Sequence, residues 1–376
     1  MRILYVTTVG ITMGFFKSFI KQLIDEGHTV EIATNETESK VADCYYEWNC
    51  SIHHIDCSRS PLNKGNFRAI GQIRSLVEKN QYDIVHCHTP IAAMCTRIAC
   101  RKLRNKGIKV FYTAHGFHFY KGAPLKNWLI YYPIEKICSR WTDVLITINQ
   151  EDYVLAQRKL KAKQVEYVPG VGIDVAWFRD AKIDKIAKRM ELGIPHDAFL
   201  LASVGELNTN KNHQIIIRAM SKLDRSDVHY IIAGMGESKE RLISLAEELG
   251  ISDRVHLLGY RTDVNEIYKA SDVCCFVSLR EGLGLAAIEG MASGLPLITT
   301  DIRGINDYSL DGITGFKCSA DDIDGFSKAI STLVLSHELR FQMGQQNKEV
   351  AARYDVSVIN RTMKNLYDSI YVHSIN

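Results

Sequence analysis

Short apolar runs and amphipathic stretches take turns along this chain. RILYVTT, residues 2–8, has the uniform apolar character of a buried strand. GFFKSFIKQLIDEGH follows it, with Phe15, Phe16, Phe19, Ile20, Leu23 and Ile24 at helical spacing and Gly27 to end the helix. HTVEIAT, YDIVHCH and KVFYTAH continue as strands, with FRAIGQIRSLVEKN and IAAMCTRIACRKLRNKG as the helices between them. The longer helical PLKNWLIYYPIEKICSRW leads to the strands DVLITIN and QVEYVP. A second series opens near residue 198 with FLLASVG. It alternates VHYIIAG, VHLLGY, DVCCFVS, PLITT and GFKC with helical stretches such as NHQIIIRAMSKL, SKERLISLAEELG and IDGFSKAISTLV. Such alternation predicts parallel sheets covered by helices on both faces. The fold class is therefore α/β, with two Rossmann-like doubly wound domains over 1–172 and 173–356. A last helix over about 357–376 is expected to pack back onto the first domain. PGVGIDVAWFRDAKIDKIAKRMELGIP, between the two series, has the glycines and polar residues of a linker.

At 376 residues the chain is too long for one ordinary core, which agrees with two domains. It has no long uncharged apolar run, and its opening is too short and strand-like for a secretory signal. Ten cysteines without a CxxC pair fit reduced, buried thiols, and a cytoplasmic location is the expectation. CYYEWNCSIHHIDC gathers three cysteines and two histidines, so zinc competes there with ordinary packing; the spacing matches no common zinc template.

Charge changes the picture locally. Residues 1–175 hold 23 lysines and arginines against 16 acids, while 176–376 hold 23 against 27. The excess gathers in TRIACRKLRNKGIK, at Arg97, Arg101, Lys102, Arg104, Lys106 and Lys109. Two readings stand: a solvated helix face, or a patch toward anionic lipid or a phosphate-bearing acceptor on the inner face of a membrane. Nucleic acid is not an expected partner.

In an open parallel sheet, ligands bind beyond the carboxyl ends of the strands, where helix N-termini offer free N–H groups. Four stretches sit there. In VGITMGFF, Gly10 and Gly14 let backbone approach a ligand, although this is not a GxGxxG dinucleotide fingerprint. In TAHGFHFY, His115 lies past a strand end beside Gly116, either as a ligand contact or as a structural histidine. In VGELNTNKNHQ, Gly205 ends the strand and Lys211 precedes a helix, where it suits a diphosphate; alone it would read as a surface lysine on a turn. In SLREGLGLAAIEGMASGLP, Glu281 precedes a glycine turn and Glu289 falls inside an apolar helix. A carboxylate so placed is costly unless hydrogen-bonded, and the vicinal hydroxyls of a sugar or ribose would serve it.

Glu281 to Glu289, as ExxxxxxxE with the EGLGL turn, resembles the signature of the retaining GT-B glycosyltransferases of family 4. The N-terminal glycine loop, TAHGF, VPGVGID, GELNTNKNH, AGMGE and LGYRTDV follow in family order over nearly the whole chain. TAHGFHFYKGAPLKNWLIYYPIEKICSRW and GELNTNKNHQ are most similar to the branch that builds capsular and exopolysaccharide repeat units on lipid carriers. The resemblance implies two domains facing a central cleft. It implies that Glu281 holds hydroxyls of the donor sugar, Glu289 the ribose, and Lys211 the leaving diphosphate. Backbone N–H groups from Gly282 through Leu283 and Gly284 to Leu285 would meet diphosphate and sugar. His115 would lie beside the donor sugar, Gly10 and Gly14 on the acceptor side, and Arg261 where backbone contacts the base. The donor would be a nucleotide sugar, expected to be a UDP-sugar, and the acceptor a lipid-diphosphate-linked saccharide.

One position departs from the family. Glu206 stands where many members carry a second diphosphate-binding arginine; Arg280, beside Glu281, is a substitute. The implied chemistry is electrostatic, with no protein nucleophile, no cofactor and no required metal. The one DxD triplet, Asp322–Asp324, reads as a surface or capping feature. Two alternatives share the architecture: another nucleotide-sugar enzyme such as an epimerase or phosphorylase, or an inactive binding subunit of a polysaccharide assembly complex.

Overall fold

The structure, a computed structural model, describes residues 1–61 and 63–372, with side chains through Ser369. The chain forms two compact units: Met1–Val171 together with the chain from Ile359 onward, and Gly172–Val358. The last four residues of the expected helix 357–376 lie outside the described residues.

The first unit is built on a seven-stranded, all-parallel sheet of order β3-β2-β1-β4-β5-β6-β7. Its strands are β1 (Arg2–Val9), β2 (Thr29–Asn35), β3 (Ser51–His54), β4 (Ile84–His88), β5 (Lys109–Ala114), β6 (Val144–Thr147) and β7 (Gln164–Tyr167). Residues alternate across the sheet. Leu4, Val6, Val85, Cys87, Val110 and Tyr112 enter one core, while Ile3, Tyr5, Ile84 and Phe111 enter the other. The final helix, Val356–Val372, closes that second core. Tyr367 Oη lies 2.6 Å from His86 Nδ1 and 3.1 Å from Tyr5 Oη, and Asn360 donates to Ser18.

The second unit carries a six-stranded parallel sheet of order β10-β9-β8-β11-β12-β13. These are β8 (Phe199–Val204), β9 (Val228–Ala233), β10 (Val255–Gly259), β11 (Val273–Phe276), β12 (Leu297–Thr300) and β13 (Gly315–Cys318).

Four details differ from the sequence reading. The segment read as a linker contains helices Val175–Arg179 and Lys185–Glu191, each started by an aspartate, Asp174 and Asp184, accepting from backbone N–H groups. SIHH is a strand at the sheet edge, and His337–Ala351 is a fifteen-residue helix. The basic stretch is not a patch of six free charges. Arg97 is wholly buried and bidentate to Glu135, and Arg104 is bidentate to Asp143.

Among the described residues no helix is long and apolar enough to cross a membrane, and no cluster of three or more candidate ligands could hold a metal. In the cysteine–histidine stretch, His53 pairs with Glu31 at 2.7 Å and His54 with Asp56 at 3.1 Å. Asp322 caps the helix Ile323–Leu335 by accepting from Gly325 N–H.

Candidate functional site

Each sheet reverses its direction of strand addition once, between β1 and β4 and between β8 and β11. Crevices form at the carboxyl ends of such strands because the flanking connections leave to opposite faces. The residues singled out from the sequence fall largely at these two places.

In the second unit, the turn after β8 and the loop after β11 are stitched together. Leu279 N–H donates to the Asn210 carbonyl at 2.7 Å, and Asn210 Nδ2 to the Arg280 carbonyl at 2.9 Å. Asn208 starts the turn Thr209–Lys211, its side chain accepting from Lys211 N–H. Lys211 Nζ then lies 2.8 Å from Glu281 Oε2 and 4.8 Å from the centre of the Phe276 ring. Both side chains are 21% exposed, so the pair is open enough to exchange partners with a ligand. Gly205 lies against this lysine; a Cβ there would meet Lys211 Cε at 3.5 Å.

His213 was not singled out from the sequence. Its ring lies 3.2 Å from Tyr230 Oη through Nδ1 and 3.3 Å from the Glu206 carbonyl through Nε2, which fixes the turn from below. Burial pushes its pKa down to about 4, so it stays neutral and can play donor and acceptor at once. Glu206 itself is exposed, its carboxylate accepting from Asn208. Arg280 is exposed as well.

The glycine turn leads from Glu281 into the helix Leu285–Ala292. Gly284 has φ +88°, and a Cβ on it would lie 2.4 Å from Phe276 Cε1, so only glycine fits. Tyr308 Oη donates to the Leu283 carbonyl at 2.8 Å, and Tyr268 Oη to that of Ala286 at 2.7 Å. These bonds hold the turn from its carbonyl side. They leave the helix N-terminus at the carboxyl end of β11. Glu289, half-buried one turn further in, has no hydrogen-bond partner among the described residues, and burial pushes its carboxyl up to about 7.

Arg261 stands apart. It follows β10 at the sheet edge, and its guanidinium is held by Asp263 at 2.8 Å and Glu191 at 2.8 Å. Lys188 joins the same acids, so the arginine side chain is a member of a structural ion-pair network.

In the first unit, Gly10 and Gly14 lie in the 3-10 turn Gly10–Phe16 after β1. Gly10 makes room for the protein's own chain. A Cβ there would meet the Ser39 carbonyl oxygen at 2.3 Å, and Gly10 N–H donates to that oxygen. Gly14 has open space where a Cβ would stand.

His115 is exposed just past β5, its Nε2 3.2 Å from Nδ1 of His88. His88 was read only as part of a strand. It is buried, lies 4.1 Å from Phe16 and from His86 between ring centroids, and its Nε2 has no partner among the described residues. Burial, with His115 as a lesser cause, pushes His86 down to about 3. The signal for this group was a histidine pair at alternate positions closing an apolar strand.

A pocket of about 320 Å³ opens at the β1–β4 switch. Thr8, Thr12 and Thr89 supply hydroxyls, Arg59 a charge, and His118 stacked on Tyr131 at 4.4 Å an aromatic wall.

Comparison with known proteins gives this arrangement its setting. The family described as "Glycosyl transferases group 1" matches residues 184–350, and "Glycosyl transferase 4-like" matches 2–149. The chain is 36% identical to the putative glycosyltransferase EpsD of Bacillus subtilis (strain 168), covering 98% of this chain and 96% of that one. It is 28% identical, over 82% of its length and 81% of the other's, to the Escherichia coli UDP-Gal:alpha-D-GlcNAc-diphosphoundecaprenol alpha-1,3-galactosyltransferase. Among solved structures, Anabaena Alr3699/HepE in complex with UDP and glucose shares the fold. Its TM-score is 0.81 at 18% identity, covering 98% of this chain and all of the other.

Proposed function

Because the chain belongs to family 4 of the GT-B glycosyltransferases, we propose that it moves a sugar from a UDP-sugar to a lipid-diphosphate-linked saccharide. The transfer retains the anomeric configuration and serves synthesis of a capsule, exopolysaccharide or related surface glycan. The observation that carries this reading is the Lys211–Glu281 pair at 2.8 Å beside a glycine turn that opens a helix N-terminus.

The second unit takes the donor. Diphosphate displaces Glu281 from Lys211, drawing Nζ and the N–H groups of Gly282–Leu285 to its oxygens. Glu281, released, accepts from hydroxyls of the sugar, and Glu289 from the ribose. The bond between the sugar's anomeric carbon and the diphosphate oxygen breaks, and UDP leaves with the electron pair. The acceptor hydroxyl forms the new bond on the same face, and its proton passes to the departing diphosphate, the nearest base there. Stabilising the charge that develops on UDP is the main catalytic contribution. His115 is assigned to the donor sugar and the 320 Å³ pocket to the acceptor. Lysine and helix N-terminus take the place a metal ion could fill, so turnover should persist in EDTA.

The name of the galactosyltransferase, which acts on a diphosphoundecaprenol-linked sugar, supports this substrate class. The test is a panel of UDP-sugars with and without a lipid-diphosphate saccharide. UDP release that depends on the acceptor, with an α-linked product from an α-linked donor, is expected. Nucleotide binding without release from any donor would make the chain a binding subunit instead.

A further inference from the structure

Alternate residues of two neighbouring strands meet at the ends of β4 and β5. His86 and His88 share one sheet face, and the pairing of His88 with Thr113 sets His115, two residues further on, at the same side. His115 reaches the surface there, while His88 is 2% exposed. The Tyr5 ring stacks on His88 at 5.5 Å between centroids, and Phe16 and His86 each pack against it at 4.1 Å. Enclosed in this way, the imidazole keeps its Nδ1 toward His115, 3.2 Å from Nε2.

One of these two nitrogens donates, and the other nitrogen of His88 decides which. His88 Nε2 is buried and has no partner among the described residues. His86 cannot serve it, because its own Nδ1 lies 2.6 Å from Tyr367 Oη and its Nε2 2.8 Å from Thr113 Oγ1. The cavity of about 40 Å³ that His88 lines is walled mainly by apolar side chains such as Phe16, Phe19, Ile146 and Met363. Its Ser18 and Asn360 bond each other at 2.9 Å. Buried N–H groups are rarely left without an acceptor, whereas an acceptor with an idle lone pair is better tolerated. His88 therefore carries its proton at Nδ1 and leaves Nε2 bare. Burial also holds His88 well below the usual histidine range. Although His115 reaches the surface, the chain around its ring pushes it down to about 4, so neither ring gains a second proton at neutral pH.

We infer that His88 is a positioning residue: its Nδ1–H donates to His115 Nε2 and fixes His115 as the tautomer protonated at Nδ1. A neutral imidazole has one donor and one acceptor nitrogen. With the acceptor taken by His88, His115 offers only an N–H to whatever lies beyond β5. It is a set hydrogen-bond donor and not a base. The step to function rests on the reading that His115 meets the donor sugar. There the N–H falls to a sugar oxygen, and the acceptor hydroxyl must give its proton to the departing diphosphate. The tautomer itself is read without any substrate.

Long-range proton–nitrogen correlation spectra of the full chain, labelled with nitrogen-15 at histidine, report which ring nitrogen holds each proton. At neutral pH without ligand, His88 and His115 should both be protonated at Nδ1. In His88→Phe, which keeps a ring in the stack, His115 should change to the Nε2–H form. The same variant should lose about tenfold in kcat, the scale seen when the partner orienting a functional histidine is removed, at unchanged UDP affinity. His88→Asn, whose amide N–H can stand where Nδ1–H stood, should restore the Nδ1 tautomer and most of the kcat. A His115 protonated at Nε2 in the wild type would overturn the inference without any variant. So would a His88→Phe protein in which His115 keeps the Nδ1 tautomer. A tautomer that switches in His88→Phe while kcat holds would overturn the contact between His115 and the sugar, and leave the positioning intact.

Discussion

The two sheets switch direction in the same way, yet the crevices at β1–β4 and β8–β11 hold different chemistry. In the second unit the loops are tied by backbone bonds, and a lysine and a carboxylate face each other over a glycine turn. In the first, hydroxyls and the stacked rings of His118 and Tyr131 line an open pocket. A leaving diphosphate must have charge compensation built in, whereas an acceptor hydroxyl needs orientation and a platform. One topology accommodates both because the loops, not the strands, carry the side chains.

The contrast can be broken most severely at Glu281. Glu281→Gln should lower kcat by about 10²–10³, the usual loss when one preorganised polar contact to a transition state goes, while the fold survives. A turnover near that of the wild type would remove the carboxylate from the chemistry.

Gly284→Ala tests the rigid side of the comparison. A positive φ and a 2.4 Å approach to Phe276 should together cost about 2–4 kcal/mol of stability. Gly14→Ala, in open space, should cost well under about 1 kcal/mol. Thermal melts of the two compare them directly.

Tyr131→Ala should act on the other unit alone, raising acceptor KM about tenfold through loss of the aromatic platform and leaving UDP affinity unchanged. A matching loss of UDP affinity would erase the division of labour.

The mildest effect is on pH. Glu289 is raised to about 7 by burial, so ribose hydroxyls that favour its ionised form should pull it down and release a proton on binding. UDP affinity should then rise several-fold as pH rises through 7. For this group alone, folding stability moves the opposite way: an acid raised above its unfolded value of 4.5 stabilises relatively as pH falls from 7 toward 4.5. Calorimetry in buffers of differing ionisation enthalpy would count the proton.

Much of this was legible because parallel strands buried on both faces are continuous apolar runs, and ligand residues follow their ends. Lys211 and Glu281 were found that way, and the coordinates join them. What stayed hidden depends on contacts far apart in sequence. Gly10 answers to Ser39, Arg97 to Glu135, and His88 to His115. SIHH has no apolar run of its own and is a strand only through its pairing with β2. The helices at 175–191 are too short for periodicity to reveal, though aspartates at their starts were visible. Arg261 was placed near the base by resemblance alone, and its ion pair with Glu191, 70 residues away, could not be read from the sequence.

The last helix lies in the core of the first unit, through Tyr367 on Tyr5 and His86. A ribosome thus delivers the whole of the second unit, from Gly172 to Val358, before the first can complete its interior. The amino-terminal half must wait unfinished during synthesis, and a premature stop a few codons before Tyr367 would leave the later-made unit intact while undoing the earlier one.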